Sequence, residues 1–85
     1  QSFLVRIKMS GIDRIGLIND VTKIISEELK VNMRNINVSV NDNIFEGTID
    51  LYVHHTRDLN NLIMKISGVK GIERVSRIED YTGFN

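Results

Sequence analysis

The stretch of this chain richest in chemistry is Gly11-Ile12-Asp13-Arg14-Ile15-Gly16-Leu17-Ile18-Asn19-Asp20-Val21. Two glycines, Gly11 and Gly16, bracket an Asp–Arg pair, and a run of helical period follows at once. Glycine lets another backbone or a small ligand approach closely, and a helix start offers unpaired N–H groups. Such a turn is a seat for a small carboxylate, a phosphate or a neighbouring backbone. It is equally a plain tight connection between a strand and a helix, and spacing alone leaves both readings open.

The remaining reactive residues form no familiar constellation. His54 and His55 are adjacent, so on a strand they point to opposite faces, and no further ligand follows at metal spacing. The serines lack a His–Asp context for nucleophilic catalysis. Gly11 and Gly16 do not make a dinucleotide fingerprint, and there is no Walker-type loop. Arg14, close to Asp13 and Asp20, reads as a capping or ion-pairing residue before a catalyst. Tyr52 alone cannot stack successive RNA bases. Acylphosphatases use an Arg in the first loop with an Asn on the second strand, and Arg14 with Asn35 or Asn37 imitates that pair. The phosphate-cradling loop of those enzymes is missing here. No catalytic residue, metal or cofactor is therefore expected.

Composition narrows the partners. The chain has 85 residues, enough for one small core, and 41% of them are hydrophobic. Lysine plus arginine and aspartate plus glutamate both number 11, so the formal net charge is zero. That balance removes the usual argument for strong nucleic-acid or acidic-membrane binding. There is no cysteine, which fits a reducing compartment and excludes thiol chemistry. No apolar run reaches membrane-spanning length. The chain opens at Gln1 directly on an apparent strand, which we read as a domain excised from a longer chain.

The elements that must position the loop follow from periodicity. Phe3, Val5, Ile7 and Met9 alternate with Leu4, Arg6 and Lys8, the pattern of a half-buried strand. Gly11 to Gly16 is read as the turn. Leu17, Ile18, Val21, Ile24, Ile25 and Leu29 then share a helical stripe, predicting a helix from about Gly16 to Leu29. Ile36, Val38 and Val40 alternate with Asn35, Asn37, Ser39 and Asn41, and Asn41-Asp42-Asn43 suits a hairpin turn. The third strand runs from Ile44 to about His54 with Phe45, Gly47, Ile49, Leu51 and Val53 inward. A second helix carries Leu59, Leu62, Ile63 and Ile66, capped by Thr56 or Asp58, with a left-handed stop expected at Gly68. A last strand covers about Gly71 to Ile78, where Ile72, Val75 and Ile78 require a bulge to share a face.

Two split βαβ halves make an α+β, ferredoxin-like βαββαβ sandwich with both helices on one side of a four-stranded antiparallel sheet. The first and third strands are expected in the middle. Arg6 and Lys8 would then lie beside Glu46 and Asp50 on the open face. The second strand becomes an uncharged, proline-free edge, Ile36-Asn37-Val38-Ser39-Val40, which invites pairing with a second copy into an isologous dimer.

With these elements in place, Val5-x-Ile7-x-x-x-Gly11-x-Asp13-Arg14-x-Gly16-Leu17-Ile18-x-Asp20-Val21 resembles the start of an ACT domain. The likeness continues through Val31-Asn32-Met33-x-x-Ile36 and Gly47-Thr48-Ile49-Asp50-Leu51-Tyr52-Val53. It then takes in Leu62, Ile63, Ile66, Gly68-Val69-x-Gly71-Ile72-x-x-Val75 and Arg77-Ile78. It spans Phe3 to Glu79. Among ACT domains it is most similar to the C-terminal regulatory domain of RelA/SpoT-type GTP pyrophosphokinases and (p)ppGpp hydrolases, since Ile15 stands where many ACT domains carry proline.

The resemblance implies a non-catalytic regulatory role in the bacterial cytoplasm, in the stringent response, with hydrolase and synthetase domains elsewhere in the parent chain. It implies a homodimer paired through sheet edges. It also implies an amino-acid site where Gly11, Asp13, Arg14, Gly16 and Leu17 of one copy meet Asn35 and Asn37 of another. Ribosome or tRNA contact belongs to the full-length relatives, and no membrane partner is implied. A purely structural dimerisation module of another amino-acid-regulated enzyme is the alternative.

Overall fold

The computed structural model describes residues 2–28 and 32–78. Their order is β1 (Phe3–Ile12), α1 (Leu17–Lys23), a π-helical turn (Ile24–Glu28), β2 (Asn32–Asn41), β3 (Ile44–Val53), α2 (Thr56–Ser67) and β4 (Ile72–Ile78). The strands make one antiparallel sheet in the order β2-β3-β1-β4, so this is the ferredoxin-like α+β architecture with β1 and β3 central.

Alternation decides the layers. Val5, Ile7 and Met9 of β1 and Phe45, Ile49, Leu51 and Val53 of β3 are buried on one side of the sheet. Leu17, Val21 and Ile25 from the first helical segment, and Leu59, Leu62 and Ile66 from α2, close over them in a single apolar cluster. No charged or polar residue is buried among the described residues. Each of these large side chains contributes roughly 1.5–3 kcal/mol by leaving water.

Several boundaries differ from the sequence reading. The predicted first helix is α-helical only to Lys23 and then widens into the π turn, while Leu29 lies outside the described residues, as does the tail. Ile18, assigned to the inward stripe, stays exposed. β2 begins earlier, at Asn32, because a bulge between Met33 and Asn35 resets its alternation. Thr56 and Asp58 lie inside α2 and do not cap it; the His55 carbonyl accepts the Asp58 and Leu59 N–H groups instead. Gly68 has φ −82°, so the helix stop is not left-handed there.

Asp42 and Asn43 both take positive φ, 51° and 67°, giving the tight hairpin that joins β2 to β3. In β4 the expected bulge occurs: Ser10 pairs with Arg74 but Gly11 with Ile72. Ile72 and Val75 thereby share the core side, opposite Gly11 and Met9. Ile78, opposite Arg6, belongs to the other face. That last pairing puts the start of β1 beside the end of β4.

Candidate functional site

β1 does not stop at Gly11. It continues through Ile12, so the connection to α1 is only Asp13 to Gly16. Phe45 and Ile44 of β3 pair with Gly11 and Ile12, and a second hold lies sixty residues away. A Cβ on Gly11 would sit 2.0 Å from the carbonyl oxygen of Gly71, so the two glycines pack backbone against backbone. The Ile12 N–H donates to that same Gly71 carbonyl at 2.8 Å. Gly71 itself has φ 103°, a conformation that glycine takes without steric penalty.

The rest of the corner is tied down as firmly. The Asp13 N–H donates to the Asn43 carbonyl at 2.8 Å, joining the loop to the β2–β3 hairpin. Arg14 donates from Nε to the Lys70 carbonyl (2.7 Å), from Nη1 to the Ile15 carbonyl (3.1 Å) and from Nη2 to Asp20 Oδ2 (2.8 Å). Gly16, at φ 82°, turns the chain into α1 with no side-chain cap. Leu17 is buried in the core. Ile15, between these anchored residues, is 100% exposed.

Of the residues assigned to a ligand, then, Gly11, Arg14 and Leu17 are engaged by their own chain, while Asp13 and Gly16 line the remaining surface of the loop. Asn35 and Asn37 are elsewhere. Gly11 aligns with Phe45 and Val40 across the sheet, whereas Asn37 aligns with Thr48 and Lys8. At about 4.8 Å between strands and about 3.3 Å per residue, Asn37 is roughly 10 Å from Gly11 in each direction. One chain does not assemble the loop with these asparagines. The same separation, with the Arg14 guanidinium turned onto Lys70, leaves the acylphosphatase-like Arg–Asn pair unformed.

The free border of β2 has two characters. Its open-face side carries Asn35, Asn37, Ser39 and Asn41. On the helix side Val38 and Val40 are 41% and 45% exposed, and Met33 is exposed beside them. No other strand among the described residues pairs with this border.

On the open face, Arg6 and Asp50 sit opposite each other. The Arg6 Nε donates to Asp50 Oδ1 at 2.5 Å and Nη2 to Oδ2 at 2.8 Å. These bonds, with the Arg6 charge and a further hydrogen bond from Asn35, hold the Asp50 carboxyl below its ordinary value despite partial burial pushing it upward. Lys8 lies opposite Thr48, with Glu46 on the diagonal.

Sequence reasoning missed the acceptors that organise this corner, since Asn43, Lys70 and Gly71 act through backbone carbonyls that leave no side-chain signature. The only sequence sign was a second glycine ahead of the last strand.

A family model described as the ACT domain matches residues 1–77. The chain belongs to the ACT domain family. The ACT domain of GTP pyrophosphokinase from Chlorobium tepidum has a crystal structure similar to this one, at TM-score 0.85 and 32% identity. The match covers 92% of this chain and 100% of that one. Its solution structure agrees, at TM-score 0.81, 32% identity and coverage of 93% and 89%. A homoserine dehydrogenase from Thiobacillus denitrificans shares the fold at TM-score 0.72 and 19% identity, over 94% of this chain and 18% of that one. A search of curated protein sequences finds no match. ACT domains are in general regulatory and non-catalytic. No helix among the described residues is long and apolar enough to cross a membrane.

Proposed function

We propose that this ACT domain is the regulatory module of a bacterial cytoplasmic alarmone synthetase/hydrolase, taking part in the stringent response. The observation that carries the reading is the likeness to the GTP pyrophosphokinase domain, 32% identical over all of that chain. In this reading the domain has no activity of its own. It dimerises through β2 and passes amino-acid or ribosome status to catalytic domains in the parent chain, with ribosome or tRNA contact in the full-length protein. A signal of this kind requires the ligand to favour one domain arrangement over another.

The uncovered border of β2 supports the dimer. Paired valines beside free backbone donors and acceptors are what a second strand would cover. The ligand would lie where the Asp13–Gly16 loop of one copy meets Asn35 and Asn37 of the other. Asp13 would take the ammonium group, and loop N–H groups the carboxylate. Gly11, Arg14 and Leu17 would hold the loop in shape beneath it.

A second reading, a dimerisation module without a ligand, is favoured by the corner itself, where Gly71 fills the space at Gly11 and Arg14 is spent on its own chain. Titrating each of the twenty amino acids while following backbone amide resonances separates the two. Sensing predicts saturable shifts at Gly16 and Asn37 for a subset of amino acids. A flat response from a protein that still sediments as a dimer selects the module without a ligand.

A further inference from the structure

The face of the sheet away from the helices carries a polar trough that crosses all four strands. Sheet register sets it out. Asn37 and Ser39 of β2, Thr48 and Glu46 of β3, Lys8 and Ser10 of β1, and Ser76 and Arg74 of β4 stand in two adjacent rows across all four strands. Most of these side chains are short. The rows on either side are taller: Arg6 and Asp50 on one flank, the exposed Ile12–Ile44 pair on the other.

The result is a trough perpendicular to the strands, formed by two clefts that share Lys8 and Glu46. The cleft toward β2 has a volume of about 260 Å3. The one toward β4, lined also by Ser10, Arg74 and Ser76, has about 310 Å3.

Charge distinguishes the β4 end. Lys8 is paired with Ser76 and Ser10 with Arg74, so the two cations are diagonal neighbours about 7–8 Å apart, their Cβ atoms somewhat closer. Side chains as long as these, at that spacing, can reach one group between them. Ser10 and Ser76 place a hydroxyl donor on either side of it. Arg6 is spent on Asp50, whereas Lys8 and Arg74 make no ion pair with the described residues. Glu46, opposite Ser10 and diagonal to Lys8, lines the same cleft on its β3 side, where it opposes an anion placed next to it and accepts from a hydroxyl or an ammonium of the bound molecule.

We propose that this trough binds a small anionic molecule. Its phosphate or carboxylate would lie between Lys8 and Arg74, and its body, rich in hydrogen-bond donors, along Glu46 and Thr48. Its anion end, at Lys8, Ser10, Arg74 and Ser76, needs no partner copy and shares no residue with the proposed amino-acid site or the β2 border, so it stands or falls independently of dimerisation and amino-acid sensing.

The probes are inorganic phosphate, glycerol phosphate and acetate, added at constant ionic strength while amide resonances are followed. Saturable shifts are expected at Lys8, Ser10, Arg74 and Ser76. Lys8→Ala and Arg74→Ala should each weaken binding at least tenfold; both side chains are exposed, and a dispersed spectrum verifies the fold. Glu46→Gln should tighten inorganic phosphate by a small factor. Glycerol phosphate binding above acetate assigns a phosphate ester, and the reverse order a carboxylate. Shifts spread equally over Lys23 and Arg57, or binding unchanged in Arg74→Ala, would overturn the proposal.

Discussion

At Gly11 and Gly68 the same substitution should have opposite effects. An alanine methyl at Gly11 has nowhere to go, since the Gly71 carbonyl oxygen would be 2.0 Å from it and is backbone. Overpacking of this kind costs roughly 1–3 kcal/mol, and here the upper end is expected. Gly68 has φ −82°, and its added Cβ would meet ordinary contacts from 3.5 Å outward. Gly68→Ala should therefore be neutral or stabilise by about 0.4–1 kcal/mol, through the unfolded chain. Urea unfolding of the two variants measures both. A second residue-scale prediction concerns acid. The Asp50 carboxyl is held below its ordinary value in the fold, so its contribution is complete above about pH 4 and is lost as pH falls through the lowered value. Asp50→Asn should cost about 1–2 kcal/mol at pH 7, and the gap between wild type and variant should close toward pH 2.

At the scale of elements, what could be read in advance depended on whether the cause was local. The alternation from Phe45 to Val53 is enforced by burial of every second residue, and β3 matches it almost to the residue. The Asn41-Asp42-Asn43 turn was equally legible, because those residue types tolerate the left-handed backbone a two-residue hairpin needs. The end of β1 was not. A glycine before an Asp–Arg pair looks like the start of a turn, and only its pairing with Phe45 on β3 and its contact with Gly71 keep it in the strand. For the proposed ligand-site residues, types and spacing did not disclose which atoms of their own chain they meet: Arg14 donates to Asp20 on α1 and to the Lys70 carbonyl beyond α2. For β2 the prediction is direct. Val38→Lys puts a charge into the exposed valine border, and for the proposed dimer sedimentation should show a shift to monomer with the fold intact, because a charge on an open strand edge opposes pairing with a second strand. A dimer that persists would place the interface elsewhere.

Across the whole molecule the two ends of the sheet hold different features. The Asp13–Gly16 loop and the Asp42–Asn43 turn occupy one end, bound to each other through the Asp13 N–H and the Asn43 carbonyl. The start of β1 and the end of β4 meet at the opposite end, where Arg6 faces Ile78. Chain attached on either side would thus leave from a common end, with the loop pointing away.

That neighbouring start and finish sets how the domain yields to tension. Antiparallel ladder bonds run across the strands, so a pull applied at residues 2 and 78 loads the β1–β4 ladder one bond at a time and peels it open. Anchors at residues 13 and 78 would strain the whole ladder at once. Single-molecule stretching should find the first arrangement giving way at distinctly lower force, making this domain a soft link wherever it is tethered from both sides.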